Sequence, residues 1–217
     1  MIRHVCLLVL VLFVSTGQTF AGEIGQGWKP AKHGDGIHVY TRPSADSPSD
    51  DFLGVTDVDA PAKVILEVFR DTPSFPQWFG FCWDILLISR TSENHEIVYF
   101  ILATPWPVSD RDMIIDVVID NRKEQGVTVI SMNALKEEIV PEQKKYVRMT
   151  KLIGKAILTE TGERSTHVTY EVNSDPAGYI PAAISNMLSK DQPYLTLKGL
   201  KEMVKNDKYY ELAGIDR

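Results

Sequence analysis

Apolar and polar residues alternate with a period of two through most of the middle of the chain. Successive side chains of a β-strand point to opposite faces, so this alternation predicts strands with one apolar face. The predicted strands are 81–89, 95–103, 112–120, 126–132, 145–158 and 165–173. Short turn-forming connections separate them, which favours an antiparallel meander over alternating strands and helices.

A hairpin and a helix are predicted ahead of this meander. Residues 36–42 alternate, a turn rich in Ser, Asp and Pro follows, and residues 52–58 form the second strand. Asp59 before Pro61 is then typical of a helix start. The apolar residues of this helix fall on one stripe: Val64, Ile65, Val68 and Phe69.

The pattern changes to a helical period over residues 179–206. One stripe is formed by Ile180, Ala183, Ile184, Met187 and Leu188, and a second by Leu197, Leu200, Met203 and Val204. The two stripes are out of phase at 100° per residue. Pro193 lies between them, and an internal proline removes a helical hydrogen bond. We therefore predict a kink or break near 189–193.

The strand 112–120 has two clearly different faces. Met113, Ile115, Val117 and Ile119 point one way, whereas Asp112, Asp116 and Asp120 share the other register with Ile114 and Val118. Ionised carboxylates are costly to bury together. The aspartate register is therefore predicted to face water, and the purely apolar register to face the interior.

Several motifs in this order resemble one lipid-binding family. "PWPVSDRDM" (105–113), preceded by "VYF" (98–100) and followed by "DPAGYIPAAISNML" (175–188), is similar to the steroidogenic acute regulatory protein-related lipid transfer (START) domain. "DGIHVYTR" (35–42) and "VDAPAKVILEVFRD" (58–71) are similar to that family's opening strand and first helix. The resemblance covers about residues 26–208.

The resemblance implies an α+β helix-grip fold, in which a curved antiparallel sheet wraps around a long C-terminal helix and encloses an apolar cavity. It implies a ligand site formed by Phe100, Met113, Ile115, Val117, Tyr179, Ile180, Ala183, Ile184 and Met187. For the helical residues the alternative is ordinary packing of an amphipathic helix on a core. Val117 and Val118 occupy positions near which sterol-binding members often place a charge, so a sterol-type anchor is not implied.

Two residues near residue 110 have structural and ligand-related interpretations. Arg111 is predicted to pair with Asp110 or another carboxylate and so fix the turn, and the alternative is contact with a lipid headgroup at the cavity mouth. Trp106, between Pro105 and Pro107, is predicted to wedge into the end of the sheet. Its alternative role is contact with ligand or membrane.

The N-terminus has the features of a secretory signal. Arg3 and His4 precede ten apolar residues, Val5–Val14, and small residues lie near Ala21. As a helix this run spans about 15 Å, short of a hydrocarbon core of about 30 Å, so cleavage is favoured over a membrane anchor. Residues 1–21 are predicted to be the signal, residues 22–217 a single domain, and the location periplasmic or secreted.

Composition and missing motifs exclude several functions. A net charge of −6 argues against nucleic-acid binding. Cys82 is the single cysteine after cleavage, so no intrachain disulfide forms, and it is interpreted as a small buried hydrophobe. The scattered histidines suggest no metal site, and no nucleophile elbow, phosphate loop or dinucleotide motif occurs, so no cofactor is expected.

These observations predict a monomeric carrier that loads a lipid-like ligand and contacts membranes transiently. A cavity of about 300–1,000 Å³ would suit a small lipid. The alternatives are an enzyme on the same scaffold, such as a polyketide cyclase or aromatase, and a ligand-sensing interaction module. A cyclase requires a general acid or base inside the pocket.

Overall fold

A ten-stranded sheet forms most of the protein in the computed structural model, which describes residues 25–122 and 125–217. The strands are β1 (Lys29–Gly34), β2 (Ile37–Arg42), β3 (Asp51–Val58), β4 (Cys82–Ser92), β5 (His95–Leu102), β6 (Arg111–Arg122), β7 (Val127–Ala134), β8 (Val147–Arg148), β9 (Lys151–Gly162) and β10 (Ser165–Asp175). Their bounds agree with the predicted strands to within a few residues, except that 145–158 divides into β8 and β9. The strand β1 was missed because its sequence, KPAKHG, has no apolar alternation.

The strands follow the order β1-β2-β3-β10-β9-β7-β6-β5-β4, and every pairing along this path is antiparallel. Of the strands in the described part of the chain, only the two-residue β8 pairs in parallel, with the start of β6. The strands β1 and β4 are the two edges, so the curved sheet is open and is not a closed barrel. The antiparallel prediction is confirmed.

Among the described residues, four α-helices accompany the sheet: α1 (Ala62–Arg70), α2 (Phe75–Trp78), α3 (Ala182–Met203) and α4 (Asp207–Ala213). The predicted stripe of α1 is buried, with Val64, Ile65 and Val68 fully inaccessible. Pro61 is the N-cap residue, and no side chain caps this end. The predicted helix start is therefore confirmed, although Asp59 makes no capping bond there.

Of the predicted kink or break in the C-terminal helix, the break is wrong, because α3 continues through Pro193 without interruption. Close packing holds the helix on both sides of the proline: before it, a Cβ added at Gly80 would lie 2.4 Å from the Gln192 carbonyl oxygen, and two further contacts follow it. A Cβ added at Gly54 of β3 would lie 2.8 Å from Leu197, and one added at Gly199 would lie 2.2 Å from the Trp78 carbonyl oxygen. These contacts hold α3 against its neighbours and so oppose a break at the hydrogen bond that proline removes.

A second, smaller core lies on the outer face of the sheet. Tyr99, Ile101 and Ile114 are buried there, and Leu135, Val140 and Tyr146 cover them. Asp112 lies beside this cluster with 1% of its surface exposed. The prediction that Asp112 faces water is therefore wrong, since the segment leading to β8 folds back over the start of β6.

Residues 1–21, to which the signal-peptide prediction refers, lie outside the described part of the chain. Within the described residues, no helix combines the length and the apolar character needed to cross a membrane.

Candidate ligand-binding cavity

An apolar cavity lies between the sheet and α3. Its volume is about 130 Å³, which is less than the predicted 300–1,000 Å³. The sheet residues that line it follow one register on each strand and include Phe100, Met113, Ile115, Val117, Ile119, Ile130 and Met132. The predicted inward face of β6 thus borders the cavity.

Aromatic side chains from α2 and its flanks form one wall. Phe79 stands edge-on to Phe100, with ring centroids 5.6 Å apart, and also to Tyr170 at 6.0 Å. Phe75 stacks on Phe79 at 5.2 Å. These two phenylalanines were missed as lining residues because Pro73 and Pro76 indicated only the end of α1. Their aromatic spacing was the signal that could have found them.

The face of α3 that borders the cavity is largely polar, consisting of Ser185, Leu188, Ser189 and Gln192. Ile180 also lines the cavity, as predicted. Ala183 is exposed, and Ile184 and Met187 are half-buried outside the lining. The prediction that these three residues face the cavity is therefore wrong. Because α3 is continuous, Leu197 and Leu200 in its second half set the rotation of its first half.

A small polar group occurs in the middle of this apolar interior. The Gln192 amide nitrogen donates to the Thr196 hydroxyl at 3.1 Å, and to the Tyr170 hydroxyl and the Gly80 carbonyl at 3.5 Å each. The Thr196 hydroxyl accepts from the Gly80 amide at 3.0 Å. Burial raises the pKa of Tyr170, so its hydroxyl is neutral.

Charged residues are confined to the ends of the cavity. At one end Glu96 is bound by Arg90 at 2.7 Å and by the Thr72 hydroxyl at 3.2 Å. Nearby, His95 engages both ring nitrogens, one with Asp116 at 2.6 Å and the other with Thr91 at 2.7 Å. Both ring nitrogens of His95 are therefore hydrogen-bonded within the protein.

The opposite end is closed by two segments that meet at a serine pair. The lining there includes Ser49, Pro176, Ile180 and Ser185. The hydroxyls of Ser49 and Ser185 are hydrogen-bonded at 2.8 Å, joining the loop before β3 to the start of α3. This single neutral bond is the direct polar tie between that loop and the helix in the described structure.

Arg111 is hydrogen-bonded to two loops next to this end, the loop before β6 and the loop before α3. It is 1% exposed, and it donates to the backbone carbonyls of Ser109, Pro176, Ala177 and Tyr179. Burial lowers the pKa of Arg111, and the charge of Asp110 opposes this effect. The structural role is as predicted, but the partners are carbonyl groups instead of a carboxylate, since the Asp110 side chain accepts from the Thr104 amide. Arg111 is also outside the cavity lining.

The aromatic residues on the two loops bound by Arg111 face solvent. Trp106 is 91% exposed, and Tyr179 is 86% exposed and outside the lining. The prediction that Trp106 wedges into the end of the sheet is therefore wrong, because the turn between its two prolines projects away from the core. The cis peptide bond Trp106–Pro107 lies in this turn.

Cys82 is buried, as expected of a small hydrophobe. Burial, together with the nearby Asp84 carboxylate, raises the pKa of its thiol to about 12. A nucleophilic role would require a lowered pKa. Among the described residues, no cluster of three or more His, Cys, Asp or Glu side chains could hold a metal ion.

Comparisons with known proteins agree with this geometry. The family model described as START domain matches residues 23–209. Uncharacterized protein PA1579 of Pseudomonas aeruginosa is 32% identical over 195 residues, covering 90% of this chain and 95% of that protein.

Two solved structures share the fold. A STAR-related lipid transfer protein fragment from Xanthomonas axonopodis has a TM-score of 0.75 and 29% identity, covering 83% of this chain and 99% of that one. The Zhui aromatase/cyclase from a Streptomyces species has a TM-score of 0.51 and 12% identity, covering 76% and 98%. The second likeness is one of fold alone.

Proposed function

Because the chain belongs to the START domain family, we propose that it carries a lipid in the cavity between the sheet and α3. The observation that carries this proposal is the apolar lining of an enclosed space beneath a long helix. A packed core would need no such space, since protein interiors are close-packed. Release of apolar ligand surface from water, at about 25 cal/mol per Å², would drive loading.

The cavity as it stands has room only for a ligand of small cross-section. About 130 Å³ of accessible space is below the range for drug-sized ligands. A single alkyl chain suits this volume, and a larger ligand would require α3 to shift outward. The Ser49–Ser185 bond is the contact that such a shift would break.

We further propose that loading occurs during transient contact with a membrane. The exposed Trp106 and Tyr179 lie on the two loops to which Arg111 donates hydrogen bonds. The lining residues Pro176 and Ile180 lie next to them. The outward face of α3 adds the exposed Ala183 to this apolar group. Tryptophan and tyrosine are suited to the membrane–water interface because each has an apolar ring and a polar handle.

The proposed location is the periplasm or the extracellular space, with the protein acting as a monomer. The N-terminal sequence pattern of residues 1–21 supports export. The absence of a second cysteine in the mature chain fits either compartment.

Catalysis is the alternative, since an aromatase/cyclase has a similar fold. We favour a carrier because the centre of the cavity holds hydrocarbon, neutral hydroxyls and one amide, while Glu96 at its end is already bound by Arg90 and Thr72. A cyclase needs a titratable acid or base at the reacting atoms. Catalytic conversion of a bound polyketide would contradict the proposal.

The direct test is native mass spectrometry of protein purified from its own source, followed by identification of co-purified lipid. We expect a lipid adduct on the wild-type protein. The substitution Ile115→Phe fills the cavity and is expected to lower the occupied fraction at least tenfold, with circular dichroism checking the fold. The matched control Ile153→Phe, on an exposed residue, should retain the adduct. Ligand-free protein whose melting temperature no lipid extract raises would contradict the carrier role.

The membrane contact has its own test. The double substitution Trp106→Ala/Tyr179→Ala should slow lipid transfer between vesicles several-fold without changing equilibrium occupancy. Leu212→Ala removes an exposed apolar residue from α4, beside Arg70 and Glu93 at the opposite end of the sheet, and should leave the rate unchanged. Equal rates for the wild type and the double variant would exclude these two residues as the contact.

A further inference from the structure

We propose that the carried ligand has a neutral hydroxyl group, which binds inside the cavity between Gln192 and Tyr170. This inference rests on the proposed carrier function and narrows its ligand class. It originates in one atom, the side-chain carbonyl oxygen Oε1 of Gln192. That oxygen is buried and has no hydrogen-bond partner in the described structure. Gln192 as a whole is 7% exposed, and it lines the cavity.

The orientation of the Gln192 amide follows from its neighbours. The Gly80 carbonyl can only accept a hydrogen bond, and it lies 3.5 Å from the amide nitrogen Nε2. The Thr196 hydroxyl, 3.1 Å from the same nitrogen, accepts from the Gly80 amide and suits either orientation, because a hydroxyl can also donate. The Gly80 carbonyl therefore orients the NH₂ group, which leaves Oε1 as the free acceptor. Buried polar groups normally have a partner, so this oxygen calls for a donor.

Tyr170 supplies the complementary group. Its hydroxyl accepts from Gln192 Nε2 at 3.5 Å, and within the described residues its own proton has no acceptor. Burial raises the pKa of Tyr170, which keeps that proton in place. One acceptor and one donor thus belong to two neighbouring residues that both line the cavity. A hydroxyl is the group that satisfies both, since it donates one hydrogen bond and accepts others.

The surroundings favour a neutral ligand group over an ionised one. Phe79 and Phe52 both lie edge-on to Tyr170, and Phe100 lies edge-on to Phe79. No cationic side chain is hydrogen-bonded to Gln192 or Tyr170 in the described structure. A carboxylate or phosphate placed there would lose its hydration without gaining a counter-charge. A lipid alcohol loses far less hydration free energy than a charged group does, because its hydroxyl is neutral.

The test compares three probes with the same chain: dodecane, dodecyl methyl ether and dodecan-1-ol, each displacing the apolar dye N-phenyl-1-naphthylamine from the purified full-length protein. The alkane offers no polar group, the ether only an acceptor, and the alcohol both a donor and an acceptor. We expect wild-type affinity to rise in that order, with the alcohol about three- to tenfold above the ether, as one neutral hydrogen bond gives.

Two substitutions locate the preference within the cavity. Gln192→Met should lower alcohol binding to the level of the ether, and Tyr170→Phe should lower ether binding to the level of the alkane. Ratios between probes are taken within each variant, so a partial loss of folded protein does not affect them. The control is Gln143→Met, which removes another glutamine that donates to a tyrosine hydroxyl, Tyr99, on the outer face of the sheet. It should keep the wild-type ratios.

The outcomes separate the two proposals. Equal wild-type affinities for all three probes would overturn the hydroxyl inference and leave the carrier function standing; a water molecule that satisfies Gln192 Oε1 would give this result. An unchanged alcohol preference in Gln192→Met would also overturn the inference. If the dye does not bind, or no probe displaces it, the carrier function fails and the inference fails with it.

Discussion

Asp112 and Arg148 form a buried ion pair on the outer face of the sheet. The guanidinium Nε and Nη2 donate to the two carboxylate oxygens at 3.1 and 2.8 Å, and both side chains are at least nine-tenths buried. Tyr99 donates to the same carboxylate at 2.8 Å. Burial and this hydrogen bond raise the pKa of Tyr99. The pair thus fixes the segment before β8 over the start of β6.

Removal of the arginine should destabilise the protein strongly. Arg148→Met leaves the Asp112 carboxylate buried without its counter-charge, which costs about 3–5 kcal/mol of unfolding free energy. Urea denaturation followed by circular dichroism measures this. Arg122→Met breaks the exposed pair with Asp120 and should cost less than about 1 kcal/mol. Comparable losses in the two variants would show that the buried pair has no special weight.

The contact between α3 and α2 should not tolerate a methyl group. A Cβ at Gly199 would lie 2.2 Å from the Trp78 carbonyl oxygen, which is backbone and cannot rotate away. We expect Gly199→Ala to cost about 1–3 kcal/mol or more, since overpacking forces the backbone to shift. Gly162→Ala, whose Cβ would have its nearest neighbour at 3.8 Å, should change the thermal midpoint little. A Gly199→Ala protein as stable as wild type would contradict this packing.

The Cys82 thiol should make stability depend on alkaline pH. Its folded-state pKa is raised from an ordinary 9.0 to about 12, so above pH 9 the unfolded chain loses a proton that the folded chain keeps. The contribution is fully present below about pH 9 and is lost as pH rises from 9 to 12, by up to about 1.4 kcal/mol per pH unit. Urea denaturation at pH 8, 9 and 10 should show this slope.

The variant Cys82→Ala is the control for this slope. It lacks the thiol, so its stability should decline less steeply over the same pH interval, whatever its stability at pH 8. The native thiol should also react slowly with Ellman's reagent at pH 8 and rapidly after unfolding in urea. Parallel pH profiles for the two proteins would contradict the assigned origin of the slope.

The sequence was sufficient to predict the sheet and the apolar wall of the cavity. The alternation Met113, Ile115, Val117 depends only on the pleat of a strand, and these residues do border the cavity. The opposite face of β6 was predicted less well because its environment is set by a distant segment. Nothing near Asp112 in the sequence indicates that Arg148 will cover it.

In α3, the wrongly predicted break at Pro193 led to the wrong set of cavity-facing residues. A break at Pro193 would let each apolar stripe turn independently toward the interior. With no break, the phase of Leu197 and Leu200 applies to the entire helix, and at 100° per residue the lining face lies roughly a third of a turn from the predicted stripe. Ser185, Ser189 and Gln192 therefore face the cavity. Whether a proline ends a helix depends on tertiary packing, which a local pattern does not contain.

Arg111 should govern the order of both loops at the mouth of the cavity. Four carbonyl groups from two segments depend on this one guanidinium. Arg111→Met leaves them without a donor, so amide hydrogen exchange in 104–110 and 176–181 should accelerate at least tenfold, as the loss of a charged hydrogen bond of about 1.5–3 kcal/mol predicts. Arg164→Met removes an exposed arginine that donates to the Asp216 carbonyl, and it should leave both loops unchanged. Equal exchange rates at 104–110 and 176–181 in the two variants would show that the loops keep their positions without the Arg111 hydrogen bonds. Arg111 would then not be the residue that positions Trp106 and Tyr179 for the proposed membrane contact.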